Sequence, residues 1–600
     1  MWTLGPLGLA ALAAWTLGSV VLRRLAWPEL RRIERTALEL VAGLGLTALL
    51  LSLALLAGWF ARATAILAVI VAGSSVVWFW RAQSRGSRSA ENEGAQRSDP
   101  SGARALQRPS GGFRPSEILI ALCAIVACAG AIAPVTDYDA LSYVLPIARH
   151  IAREGTLRVW SDQMPSMWPQ AHQVLLAYII GSGGDRPGAL TALEWLIAVG
   201  AISALARRVC KRKDDAPLAV ALAIAAPVTA FLVAAGKEDM MLLAATAAAL
   251  FCLAGPLTIG EVAAAGLFAG IAASVKYPGL GVALSVVAWV AIATRSARHT
   301  AAAAACGAIV AGLWYGLNVW RFGNPVAPFV VGAAGTPLDA ATVRATMDDF
   351  GGGRGVANFF VTPLRIFVEP ALYCGRAMLF HPLTYAGIGT LLPRRLHVRA
   401  APLLFVAAVL YVGWYLTLQN ARLLLPAAML LAPAAADAIG PWMQRSRWLA
   451  GMVIAAIAVP LSLAPVVGLV RAARYASAPR SYLERETEHY ADIQWANAHL
   501  DPSRHRILST FDAVEFFTVP AIGLSPMRQL ELSAADISTH ERLLAACRRH
   551  KITHVFTARR DLADVESELR LVYENPASPL GDVHFFRASP VEATAIFEIR

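Results

Sequence analysis

Apolar runs long enough to cross a bilayer recur along this chain of 600 residues, and no other feature narrows its possible folds so far. A membrane-spanning helix needs about 17–25 mostly apolar residues. Fourteen stretches of this kind, a few of them short, lie at 4–22, 37–58, 63–80, 116–135, 188–206, 216–235, 239–255, 260–276, 278–294, 299–319, 376–393, 400–418, 421–438 and 447–469. Hydrophobic residues make up 57% of the chain and charged residues 16%, and the mean hydropathy is +0.52. This balance excludes a soluble globule and predicts a mainly α, polytopic membrane protein of about fourteen transmembrane helices.

The formal net charge of +12 could suggest nucleic acid as a partner, but the basic residues sit in short loops between the spans. Arg23, Arg24, Arg31, Arg32 and Arg35 follow the first span, Arg81 to Arg114 the third, and Arg207, Arg208, Lys211, Arg212 and Lys213 the fifth. Arg295 and Arg298, then Arg394, Arg395 and Arg399, then Arg445 and Arg447 continue the alternation. By the positive-inside rule these loops are cytoplasmic, and 136–187, 320–375 and 471–600 lie outside. The first span has no basic region before it and no small-residue cleavage site, so it is expected to stay as an anchor. The seven cysteines show no CxxC or Cys/His spacing and support neither a disulfide framework nor a zinc site.

The chain divides into a three-span bundle at 1–80, a polar linker at 81–115 whose composition predicts disorder, a main membrane domain at 116–470, and a last part at 471–600. In that last part short β-rich runs at Arg506–Thr510, Ile552–Thr557, Val583–Arg587 and Ala595–Ile599 alternate with amphipathic stretches at Glu484–His499 and Thr539–Lys551. They predict a small extracytoplasmic α/β domain. It has no Gly-rich phosphate loop, and no chemistry is assigned to it.

Polar residues interrupt the apolar pattern at five places on one predicted side of the membrane: Asp137 and Asp139, Lys237-Glu238-Asp239, Lys276, Asn324-Pro325, and Gln419 to Arg422. After Asp139, residues Leu141, Val144, Leu145, Ala148, Ile151 and Ala152 define one face of an amphipathic helix, with Arg149, His150 and Arg153 opposite and Gly155 as the stop. It is expected to lie on the membrane surface. Asp139 and Tyr143, four residues apart, share a face at its start. A structural reading makes Asp139 an N-cap. A chemical reading makes the two aspartates a general base, or carboxylates sharing a divalent cation. Lys237-Glu238-Asp239 could be a solvated turn and Lys276 a snorkelling lysine. Arg422 heads an apolar span, where an arginine is costly without an anionic partner, and a phosphate suits it.

Asp139-Ala-Leu-Ser-Tyr143-Val-Leu-Pro146, Gly236-Lys-Glu-Asp239, Lys276-Tyr277, Gly323-Asn-Pro325-Val-Ala-Pro328-Phe329 and Gln419-x-x-Arg422-x-x-x-Pro426 together resemble the bacterial GT-C membrane glycosyltransferases. That superfamily includes protein O-mannosyltransferases and lipid A aminoarabinose transferases. The resemblance covers about 116–470 and rests on the order of the motifs, none of which is specific alone. One departure is Val144, where a His often follows the loop Tyr in relatives.

The resemblance implies a cell-surface reaction at a bacterial cytoplasmic membrane. A sugar on a polyprenyl phosphate is passed to a lipid, glycan or protein acceptor. It implies Asp139, with Asp137 beside it, as catalytic base or metal-linked acid. Arg422, Lys276 and Lys237 then serve as donor-phosphate ligands, and Tyr143, Asp239, Asn324 and Gln419 as substrate contacts. No nucleotide loop is present and no nucleotide site is required; no cofactor is assigned, and a divalent metal is permitted. A surface-polysaccharide polymerase or ligase and a membrane transporter are the competing readings.

Overall fold

The computed structural model describes residues 3–25, 27–73, 115–348, 351–373, 381, 383–384, 398–511, 514–559, 561–579 and 591–600. Helices dominate it. Six described helices are long and apolar enough to cross a membrane: Leu4–Leu22, Arg32–Leu56, Pro115–Ile132, Gly188–Val209, Ala297–Phe322 and Arg447–Ser477. A seventh span arises if Ala421–Leu430 and Ala432–Arg445, bent by 48°, are taken together. The expected count of fourteen is therefore not reproduced among the described residues. Several expected spans are shorter apolar helices, among them Asp239–Leu253, Ile259–Val275, Pro278–Thr294 and Ala401–Leu416. The stretch at 376–393 lies almost wholly outside the described residues, as do 74–80 of the third span and the linker at 81–114.

Proline accounts for the broken spans. The stretch 216–235 forms Ala216–Ile224 and a short turn Thr229–Leu232, separated at Pro227, which cannot donate to a helical carbonyl. Thr229 Oγ1 donates to the carbonyls of Ala226 at 2.7 Å and Ile224 at 3.1 Å across the break. Within the stretch 421–438, Pro426 and Pro433 each stand at the start of a helix, on either side of the bend. Elsewhere small residues let helices approach closely. A Cβ on Gly266 would lie 2.0 Å from the Ala303 carbonyl oxygen, and one on Gly270 would lie 2.3 Å from that of Gly307. The pair Gly266-x-x-x-Gly270 thus brings Ile259–Val275 into backbone contact with Ala297–Phe322.

The described loops that follow the first and fifth spans, both expected to be cytoplasmic, meet at one end of the helix bundle. There Arg207 pairs with Glu34 and Glu117, Arg31 with Glu117, and Arg208 with Glu29 and Glu261. Gly188, which opens the Arg207 helix, packs against Ala234 and Val135 at the opposite end. At that opposite end the segment after Pro134 enters a single π-helical turn, Ala140–Val144, and the helix Leu145–Glu154, stopped by Gly155 at φ 65°. The predicted apolar face is buried, but it packs on the helix Ala171–Gly181.

Residues beyond Ser477 fold around a five-stranded sheet with order β2-β1-β3-β5-β4: β1 Ile507–Ser509, β2 Ala521–Gly523, β3 His554–Ala558, β4 Leu569–Pro579 and β5 Val591–Ile599. The first three strands are parallel and the last pairings antiparallel. Three of the expected β-rich runs become β1, β3 and β5, and the fourth, 583–587, lies outside the described residues. The predicted helix Glu484–His499 is two helices, Pro479–Glu486 and Tyr490–His499, because His489 takes a left-handed conformation at φ 50°. Asp492, fully buried at the start of the second, accepts hydrogen bonds from Tyr573, Asn575, Ser578 and Thr594. One carboxylate thereby ties that helix to β4 and β5.

Candidate active site

Four sequence-distant turns meet at the bundle end that carries the 136–170 loop. Asp137 accepts the Ala140 N–H at 3.1 Å, which makes it the side chain that closes this turn. Asp139 makes no such bond although it stands at the cap position, so its carboxylate is left for other partners. Those partners are all cations. Arg422 Nη1 lies 2.5 Å and Lys237 Nζ 3.5 Å from Oδ2, and Arg528 Nη2 lies 3.0 Å from Oδ1. Lys237 also contacts Asp137 at 2.6 Å.

Each cation is delivered by local structure. Gly236, at φ 72°, makes the turn that places Lys237-Glu238-Asp239, and a Cβ there would lie 3.1 Å from the Val135 side chain. Asp239 is the first residue of Asp239–Leu253, where the helix dipole favours a carboxylate. Lys276 is an extended residue between Ile259–Val275 and the helix that Pro278 starts. It reaches Glu238 at 2.7 Å and Asp239 at 3.3 Å. Asn420 Oδ1 accepts the Arg422 N–H at 3.1 Å and so fixes the turn from which the guanidinium extends toward Asp139 and, at 3.7 Å, Asp239.

Glu238, Asp239, Lys237 and Lys276 are all less than a tenth exposed. This excludes the solvated-turn and snorkelling readings for them. Burial raises the Asp139 carboxyl, but Arg422, Lys237 and Arg528 outweigh it and hold the group well below the usual carboxylate range. Glu238 Oε2 and Gln419 Oε1 are buried without a hydrogen-bond partner among the described residues, and Arg422 Nε and Asp239 Oδ2 face each other only at 3.7 Å, too long for a hydrogen bond. Such atoms are costly, and their grouping favours a polar ligand there.

Tyr143 donates to Glu238 at 3.4 Å and meets Trp168 edge-on at 5.4 Å. Gln419 donates to the Tyr415 carbonyl at 3.1 Å and to Gly353 at 3.3 Å, and packs against Gly351, where a Cβ would lie 1.9 Å from its Oε1. Asn324 is not joined to the charged cluster. Its amide donates to Phe329 and Gly332 and its oxygen accepts the Val326 N–H. It locks the loop whose Phe329 stacks on Trp168 at 6.2 Å. No group of three or more His, Cys, Asp or Glu among the described residues is arranged to hold a metal. Ammonium and guanidinium groups contact the carboxylate oxygens that a divalent ion would need, so these residues do not fit one.

Two features escaped the sequence reading. His172 and Glu194 form a fully buried pair at 2.9 Å; the signal was Glu194 itself, an acid within an apolar span. Arg528 comes from the carboxyl-terminal part, in a loop without periodicity, and its guanidinium also lies 4.9 Å from the Tyr143 ring centre.

No protein-family model and no curated protein sequence matches the chain. Solved structures do. Two crystal structures of ArnT from Cupriavidus metallidurans, one bound to undecaprenyl phosphate and one in the apo state, each align with a TM-score of 0.51 at 14% identity. Each alignment covers 80% of this chain and 97% of that one. With its mainly helical bundle and small carboxyl-terminal sheet, the chain has the fold seen in these ArnT structures.

Proposed function

We propose that this chain is an integral membrane glycosyltransferase that moves a sugar from a polyprenyl-phosphate donor to an acceptor at the outer face of a bacterial cytoplasmic membrane. The observation that carries the proposal is the Arg422–Asp139 pair: a guanidinium, a group suited to phosphate, held 2.5 Å from a carboxylate that would become the base once the cation leaves it. The ArnT neighbour crystallised with undecaprenyl phosphate supports a donor of that class.

The donor's lipid tail stays among helices, and its phosphate competes with Asp139 for Arg422, aided by Lys237 and Lys276. Guanidinium suits this exchange because it can bind phosphate through two parallel hydrogen bonds. Departure of Arg422 and Lys237 to the phosphate frees Oδ2 of Asp139 and makes that carboxylate more basic, since two cations that lowered its pKa have left. Oδ2 takes the acceptor's hydroxyl proton, the acceptor oxygen attacks the anomeric carbon, and the bond from that carbon to the phosphate oxygen breaks with inversion. The leaving polyprenyl phosphate gains one negative charge, which Arg422 and the two lysines offset.

Release of polyprenyl phosphate from a polyprenyl-phosphate sugar by the purified chain tests the proposal. Asp139→Asn should abolish turnover without loss of expression, because losing a positioned base costs about a hundredfold to ten-thousandfold. Asp137→Asn should be milder. Full turnover by Asp139→Asn would overturn the assignment.

A further inference from the structure

We infer that the carboxyl-terminal part of the chain completes the active site, and that Arg528 is a positioning residue holding Oδ1 of Asp139 while Oδ2 does the chemistry. The inference rests on the transferase reading and extends it to a part of the molecule with no assigned role. It starts from a division of labour on one carboxylate. Arg422 and Lys237 both lie on Oδ2, whereas Arg528 alone among them contacts Oδ1, at 3.0 Å. When the donor phosphate draws both Arg422 and Lys237 from Oδ2, the Arg528 contact on Oδ1 is the one of these three that remains to fix the carboxylate's rotation. A base must be aligned as well as basic.

The contact is not a chance meeting of long side chains. The Met164 N–H donates to the Arg528 carbonyl at 2.8 Å, and the Leu530 N–H donates to Ser161 at 2.6 Å. Ser161 Oγ donates to Glu531 at 2.8 Å, and the Glu515 N–H donates to Leu141 at 3.1 Å. Segment 515–531 is therefore bonded to the 136–170 loop at two separate places, one of them two residues from Asp139. The guanidinium sits near the Tyr143 and Tyr138 rings, at 4.9 and 5.8 Å, where cation–π attraction holds it.

Charge gives a second, independent argument. Among the described residues, the membrane part supplies four carboxylates to the cluster, Asp137, Asp139, Glu238 and Asp239, against three cations, Lys237, Lys276 and Arg422. Arg528 is the fourth cation, and with it the formal charges balance. A buried cluster left with an uncompensated carboxylate would be unfavourable.

The test uses the full chain in lipid nanodiscs, with Arg528→Gln and Arg528→Lys compared with wild type. Release of polyprenyl phosphate is measured across pH, and binding of undecaprenyl phosphate separately. The groups facing Asp139 are Arg422, Lys237 and Arg528, with Asp137 and Tyr143 on its own segment and Glu238 and Asp239 behind the cations. Removing Arg528 takes away a cation that lowers the Asp139 pKa, so the acidic limb of kcat should move to higher pH. Arg528→Gln should lower kcat about 10- to 100-fold, with donor KM and undecaprenyl phosphate affinity within about twofold of wild type. Arg528→Lys should restore part of kcat. An acidic limb that stays in place, or a loss confined to KM and phosphate affinity, overturns the positioning role. A wild-type chain that neither binds undecaprenyl phosphate nor releases it from a donor removes the transferase reading, and the inference with it.

Discussion

The Arg422–Asp139 contact sets two side chains of opposite charge in competition with a ligand, and this makes substitution effects at Arg422 specific. Lys offers a point charge where Arg offers two parallel donors. Arg422→Lys should therefore weaken undecaprenyl phosphate binding about tenfold, and Arg422→Ala more, in a direct binding measurement. Equal affinities for all three proteins would remove Arg422 from the donor site. Asp139→Asn should act the other way, tightening phosphate binding about severalfold, because the amide no longer draws Arg422 from the ligand. Much of this cluster was legible in the sequence, since Asp139, Lys237, Lys276 and Arg422 each break an apolar pattern where charge is costly. Their pairing was not. That Asp137 rather than Asp139 closes the helical turn depends on backbone geometry, and that Asn324 serves its own loop depends on the fold of residues 326–332. Arg528 stands in a loop, where neither periodicity nor charge sets one arginine apart.

Hydrophobic length marked the helices well where they are continuous, as at Gly188–Val209 and Arg447–Ser477. It failed where proline divides a uniformly apolar stretch, as at Pro227, because hydropathy does not register a missing N–H. In the carboxyl-terminal part β2 and β4 were missed. β2 has three residues, too few for an alternating pattern, and β4 carries Asn575 and two prolines. Helix packing adds a sharper expectation. Gly270 faces the Gly307 carbonyl, whereas Gly312, farther along Ala297–Phe322, has nothing within 4 Å of the point where a Cβ would stand. Gly270→Ala should cost about 1–3 kcal/mol through overpacking, and Gly312→Ala should be neutral or stabilising by up to about 1 kcal/mol. Thermal unfolding of both variants in the same detergent checks this. Equal melting temperatures would mean that the two helices can separate without loss.

At the scale of the whole molecule, the charged cluster lies at one end of the bundle and the arginine-rich ion pairs of Arg31, Arg207 and Arg208 at the other. Combined with the positive-inside rule, this separation predicts labelling from outside at a cysteine engineered at 540 and none at 95 in intact cells, in a background without the native cysteines. The reverse pattern would invert the proposed sidedness. Docking of the carboxyl-terminal part should then respond to pH through Glu515, whose backbone bonds Leu141 and whose carboxylate pairs with Arg149. Burial pushes the Glu515 carboxyl up to about 7 against the pull of Arg149, Arg153 and His150. An acid whose pKa is raised on docking binds more protons docked than free, so docking is favoured at low pH and weakens as pH rises through about 7. His489 and His554, both held down to about 4 by burial within the carboxyl-terminal part, act on its own fold, which loses stability as pH falls below about 6.5. Between about pH 6.5 and 8 the Glu515 contribution stands alone among these three and amounts to roughly 1 kcal/mol. Limited proteolysis of the carboxyl-terminal part should accelerate across that interval in wild type and stay flat in Glu515→Gln. An unchanged slope in the variant would show that a different group controls docking.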